Sequence, residues 1–69
     1  MKMIKLTRLD SSIQFVNIES ISSIYPATCA DNTPYTEINT TYGFLIEVQE
    51  TPREIFKKIL AVDTLNIGD

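Results

Sequence analysis

The stretch "TPREIFKKIL", residues 51–60, spells out a helix from its first cap onward. Thr51 is placed as the N-cap and Pro52 takes the first helical position, where a missing N–H costs nothing. Glu54 follows at the spacing that closes a capping box onto Thr51. Ile55, Phe56, Ile59 and Leu60 recur at helical spacing on one face, while Arg53, Lys57 and Lys58 lie toward the other. A helix with one apolar face needs a surface to cover, and the residues upstream of it read as strands.

Working back from the helix, "TTYGFLIEV" (40–48) places a tight turn at Tyr42-Gly43. Phe44, Ile46 and Val48 alternate there with Leu45 and Glu47, and Tyr35 to Thr40 alternate before the turn, so the two strands form a hairpin. At the other end of the chain, Ile4 and Leu6 alternate with Lys5 and Thr7, a polar turn follows at Asp10, Ser11 and Ser12, and Ile13 and Phe15 alternate with Gln14. That is a second hairpin. Ile18, Ile21 and Ile24 recur every third residue, which suits a short turn over Asn17 to Ser20 followed by a strand from Ile21 to Tyr25; a single helical turn at Ile18 competes with this reading. Between these parts lies "YPATCADNTPY" (25–35), a loop punctuated by Pro26, Asp31, Asn32 and Pro34. The expected architecture is α+β: a small antiparallel sheet of four to five strands packed against one C-terminal helix, in a single domain over 1–69. Its core spans 3–61, and the tail 62–69 has no strong period and is expected to fray or to reach a neighbouring subunit.

At 69 residues the chain lies near the lower limit for independent folding. A domain of this size buries only about 60% of the surface its unfolded chain exposes, and such a core rarely supplies more than roughly 3–5 kcal/mol without a staple. Cys29 is the sole cysteine and there is no histidine, so neither an internal disulfide nor a Cys/His zinc site is available. What remains is association, and a homo-oligomer is expected. The single thiol and the N-terminus, which has charged residues interspersed and no continuous apolar leader, point to the cytoplasm, bacterial or, for a phage-encoded chain, that of its host. No apolar run approaches the ~20 residues of a membrane span. A net charge of −3 argues against DNA binding.

Catalytic chemistry finds little to work with. Cys29 has no histidine to activate it, and Asp31, its nearest charged neighbour, acts against thiolate formation. The carboxylate pairs Glu47/Glu50 and Asp31/Glu37 read as solvated charges, and Glu50 has a structural place just before a helix N-terminus. Two glycines are too few for a phosphate loop. No enzyme activity, cofactor or metal is expected. The tyrosines carry more information, because Tyr25, Tyr35 and Tyr42 combine an apolar ring with a hydroxyl, as interfaces and stacking surfaces do. Together with Thr28, Asn32, Thr33 and Thr36 they form a candidate contact patch of low charge.

Taken in order, "MIKLTRLD" at Met3 to Asp10, Asn17 followed by Ile21 and Ile24, the turn glycine Gly43, then Val48, Glu50 and "EIFKKI" at Glu54 to Ile59 resemble the FlbD family of small bacterial proteins encoded with flagellar genes. The chain departs from that pattern in having Asn17-Ile18 where the family usually has asparagine-proline. It also carries the longer "YPATCADNTPYTE" in place of a compact turn. For a chromosomal gene the resemblance implies a flagellar or swarming accessory role. The residues therefore suggest a non-catalytic, homo-oligomeric binding module with a protein partner or a small nucleotide ligand. The alternative is a phage anti-defence protein that sequesters a host cyclic-nucleotide immune signal between subunits, using Arg8, Tyr25, Asn32, Thr33 and Tyr35.

Overall fold

In the computed structural model, residues 2–67 are described, with side chains as far as Val62. The element order is β1 (Met3–Thr7), β2 (Ile13–Asn17), a 3-10 turn (Ile18–Ser20), β3 (Ile21–Thr28), β4 (Pro34–Thr40), β5 (Leu45–Val48) and α1 (Pro52–Ile67). This is the expected α+β architecture, with the five strands divided between two antiparallel sheets, β1-β2 and β3-β4-β5. The sheets meet where β1 ends and β5 ends. Arg8 and Val48 form an antiparallel bridge, and the Gln49 N–H donates to the Thr7 carbonyl at 2.8 Å.

Three turns join the hairpins, and all three use one geometry. In each, the first residue's N–H donates to the carbonyl of the fifth, and its carbonyl accepts from the fourth: Arg8 to Ser12, Cys29 to Thr33 and Thr40 to Phe44. The fourth residue takes a left-handed conformation, with φ of 73° at Ser11, 69° at Asn32 and 85° at Gly43. This is the three-residue hairpin loop whose last residue must tolerate positive φ. Asp10 and Asp31 reinforce their turns by accepting from the N–H two residues on, at 3.0 Å from Ser12 and 3.1 Å from Thr33.

The second turn corrects the sequence reading of "YPATCADNTPY". What was expected as an eleven-residue loop is a turn of Cys29 to Thr33, flanked by strand, because β3 runs on to Thr28 and β4 starts at Pro34. The prolines fit for a geometric reason. Cys29 and Thr33 exchange a ladder hydrogen bond, so by antiparallel alternation Pro26, paired with Thr36, directs its nitrogen away from β4 to the open edge. A missing N–H costs the ladder nothing there.

The core consists of Ile4, Leu6, Val16, Ile38, Val48 and Ile55, with Ile18, Ile21, Ile24, Ile46, Ile59 and Val62 packed around it. The three isoleucines of the i, i+3 series thus share one purpose. Ile18 opens the 3-10 turn, which Asn17 caps by accepting from the Glu19 N–H at 3.1 Å, and Ile21 and Ile24 follow on β3. Register decides which residues of β2 face inward: Ile4 lies opposite Val16 and Leu6 opposite Gln14, so Ile13 and Phe15 turn outward.

The capping box forms as read, with the Thr51 N–H donating to Glu54 Oε1 at 2.9 Å and the Glu54 N–H to Thr51 Oγ1 at 3.1 Å. Two other features of the helix differ from expectation. Its inward stripe is Ile55, Ile59 and Val62, while Phe56 and Leu60 are exposed; they sit about 100° further round the helix, and α1 packs on β1 and β3 along a single stripe. The helix also continues through the supposed tail to Ile67, since the sequence places no proline or glycine between Pro52 and Gly68 to stop it. The last two positions of the expected tail, 68 and 69, lie outside the described residues.

Candidate functional site

Strand alternation sorts the three-stranded sheet into two faces. Thr36, Ile38 and Val48 face the core and are fully buried, so Thr36, expected in the contact patch, lies on the opposite side of the sheet from Tyr25 and Tyr35. The opposite face presents Tyr25 across from Glu37, Ala27 across from Tyr35, and Glu37 across from Glu47. Further along, the Asn39 amide donates to Ser23 Oγ at 3.2 Å, tying β4 to β3. The result is an open surface of tyrosine rings and carboxylates.

Tyr35 is fixed within this surface. Its hydroxyl donates to Glu37 Oε2 at 2.9 Å. That hydrogen bond, with partial burial and the negative charges of Glu37 and Glu47, pushes the Tyr35 hydroxyl up to about 12. The phenol is therefore neutral across the physiological range and serves as a donor, not as a base.

The structure distributes the other candidate residues over several places. Thr33 and Tyr35 line a recess of about 640 Å³ together with Cys29, Asp31, Leu9 and Gln49. Arg8 lines a different recess, of about 440 Å³, beside Asp10, Phe44 and Glu47. Tyr25 lies half exposed on the open sheet face, Tyr42 projects from the β4–β5 turn, and Thr28 and Asn32 are exposed at the end of β3 and in the turn after it. One chain therefore brings Thr33 with Tyr35, and Tyr25 with the Glu37 that holds Tyr35, but not Arg8 with any of them. The carboxylates beside Arg8 leave that recess with mixed charge.

Some relationships were not read from sequence. Glu47 was considered with Glu50 and Glu37 with Asp31, whereas Glu37 and Glu47 are direct cross-strand neighbours. Fixing the hairpin on the Thr40–Phe44 turn would have revealed this, because every opposed pair then follows by counting outward. Gln49 was also missed: its side-chain amide donates to the Arg8 carbonyl at 2.9 Å, holding the β1–β2 turn beside β5. Beside it, Glu50 is a structural clasp. Its carboxylate accepts from the Thr7 N–H at 2.9 Å and from the Thr7 hydroxyl at 2.9 Å, and its backbone carbonyl accepts from the buried Thr36 hydroxyl at 2.6 Å. The segment 49–51 thereby ties both sheets to the helix N-terminus.

Among the described residues no group of three or more His, Cys, Asp or Glu side chains is placed to hold a metal ion, and no helix is long and apolar enough to cross a membrane. Cys29 is half-buried at the start of its turn.

No curated protein and no solved structure matches the chain. The family of flagellar and swarming motility proteins does match, over residues 3–65, a span that runs from the first residue of β1 nearly to the end of α1. The chain belongs to the FlbD family of flagellar and swarming motility proteins.

Proposed function

We propose that this protein is a non-catalytic, homo-oligomeric binding module that acts in the cytoplasm as an accessory of flagellar or swarming motility. The observation that carries this reading is the balance between covered and uncovered apolar side chains. Among the described residues, six aliphatic side chains form the buried core, whereas ten large apolar or aromatic ones are exposed, Phe44, Phe15 and Leu60 by 69%, 62% and 63%. Isolated exposed apolar residues are ordinary, but so many on so small a core mark contact surfaces. Within this reading, subunits associate through strand edges and apolar side chains, and the tyrosine-carboxylate face of β3-β4-β5 contacts a partner. Its carboxylates suit a partner surface that is basic or rich in hydrogen-bond donors.

Nucleotide sequestration draws less support. The surfaces that would meet phosphate carry Asp10 and Glu47 beside Arg8, and Glu37 beside Tyr25 and Tyr35. A thermal-shift series with cyclic dinucleotides separates the readings, since a ligand at 100 times its dissociation constant stabilises a fold by about 2.7 kcal/mol.

The motility reading is tested in the organism that carries the gene, by comparing swarm expansion after deletion, after complementation with the wild-type gene, and after complementation with Tyr25→Ala/Glu47→Lys. Restoration by the wild type but not by the double variant, at equal protein levels, is the expected result. Unchanged swarming on deletion would overturn it.

A further inference from the structure

Among the described residues four strands end a sheet, β1, β2, β3 and β5; β1 and β5 meet at the Arg8–Val48 bridge and the Gln49–Thr7 hydrogen bond, whereas β2 and β3 face away from that junction and differ in how they are protected. The open edge of β3 carries Pro26, whose nitrogen points outward without a proton, and a register break between Ile21 and Ser23. Both are devices that stop a further strand from adding. β2, "IQFVN", has neither proline, glycine nor charge. The ladder bonds of the first hairpin place Arg8 opposite Ser12 and Lys2 opposite Ile18. Alternation then assigns the inward bonds to Gln14 and Val16 and directs the N–H and C=O groups of Ile13, Phe15 and Asn17 to the open edge. The side chains on those same outward residues include Ile13, 49% exposed, and Phe15, 62% exposed.

We propose that β2 pairs antiparallel with β2 of a second copy, about a two-fold axis through Phe15. This rests on the homo-oligomeric reading above and names the surface that forms it. In this register Phe15 faces Phe15 of the second copy across a hydrogen-bonded pair, and Ile13 faces Asn17 in both directions, so all outward backbone groups of 13, 15 and 17 find partners. The strand is uncharged, so self-pairing brings no like charges together. A second copy is the fitting occupant because the contact is self-complementary and every copy has the same small core. A two-fold contact uses the β2 edge of both copies, so the pairing closes as a discrete dimer instead of propagating into a fibre. A contact of one short strand lies at the small end of specific interfaces, below about 1,200 Å² in all, which corresponds to a reversible dimer.

The test combines sedimentation with residue-resolved amide exchange on the wild-type chain, and repeats sedimentation on Phe15→Lys with circular dichroism as the folding check. The expected result is a concentration-dependent dimer in which the Ile13 and Phe15 amides are protected at least tenfold more at high than at low protein concentration. Phe15→Lys is then folded and monomeric. An oligomer in which those two amides exchange rapidly at every concentration overturns the β2 pairing while leaving self-association in place. A single-chain mass at all concentrations overturns both. The amide readout needs no variant, so it decides the matter even if Phe15→Lys does not fold.

Discussion

Glu50 holds Thr7 by both its backbone and its side chain: one carboxylate accepts from the Thr7 N–H and from the Thr7 hydroxyl, each at 2.9 Å. Thr7 ends β1 and Glu50 stands between β5 and α1, so the pair fastens the first sheet to the start of the helix. Hydrogen bonds to a charged group typically contribute about 1.5–3 kcal/mol. Glu50→Ala is expected to destabilise the fold by about 2 kcal/mol, in line with that range, and Thr7→Val by about 1 kcal/mol through its hydroxyl alone. Urea unfolding of both single variants and the double variant measures the coupling; a loss for Glu50→Ala under about 0.5 kcal/mol contradicts the clasp.

Identical turns respond oppositely to glycine. Gly43 has φ of 85° with open space where a Cβ would stand, so Gly43→Ala meets conformational strain and no clash. A cost of about 1 kcal/mol is expected. Ser11, at φ 73° in the equivalent position, bears that strain already, and Ser11→Gly is expected to gain about 0.5 kcal/mol. Thermal midpoints that move the same way in both variants would disprove a shared turn geometry.

The acid limb of stability is set partly by turn and cap carboxylates. Hydrogen bonds from Ser12 hold Asp10 below its ordinary 3.8, those from Thr33 do the same for Asp31, and those from the Thr51 backbone and hydroxyl hold Glu54 below 4.5. A lowered carboxyl contributes stability that is present above its unfolded value and lost as pH falls through its folded one. Stability is therefore expected to fall as pH drops below about 4.5. Denaturant midpoints for Glu54→Gln should fall less steeply over that range than those of the wild type; parallel curves would remove the cap from the explanation.

At the alkaline end Tyr35 acts in the other sense. Its hydroxyl, pushed up to about 12 chiefly by the bond to Glu37, favours the neutral phenol in the folded state. The contribution is present below the ordinary value of 10.0 and is lost as pH rises toward about 12. Ultraviolet titration of Glu37→Gln is expected to show one tyrosine ionising at lower pH than in the wild type, and an unchanged titration would mean that the bond does not form in solution.

How far the fold was legible follows from the range of the interactions involved. The capping box of Thr51 and Glu54, the glycine turn at Gly43 and the alternation of Ile4 and Leu6 are local, and each could be read from a few adjacent residues. The division into two sheets was not readable, because it depends on Gln49 meeting Thr7 and Val48 meeting Arg8, some forty residues apart. Pro26 and Pro34 misled in a specific way: they mark loops unless their nitrogens face an open edge, and that depends on register. Helix periodicity grouped Phe56 and Leu60 with Ile55 and Ile59, but the width of the buried stripe is set by the sheets beneath. For the site, the tyrosines were visible by type, whereas the pairing of Glu37 with Glu47 required the register.

The most direct test of the central claim, that the chain works as a self-associating module, is sedimentation equilibrium of the wild-type protein from low to high micromolar concentration. The expected result is a mass that rises to a multiple of the 7.8 kDa chain. A mass of 7.8 kDa throughout would contradict it.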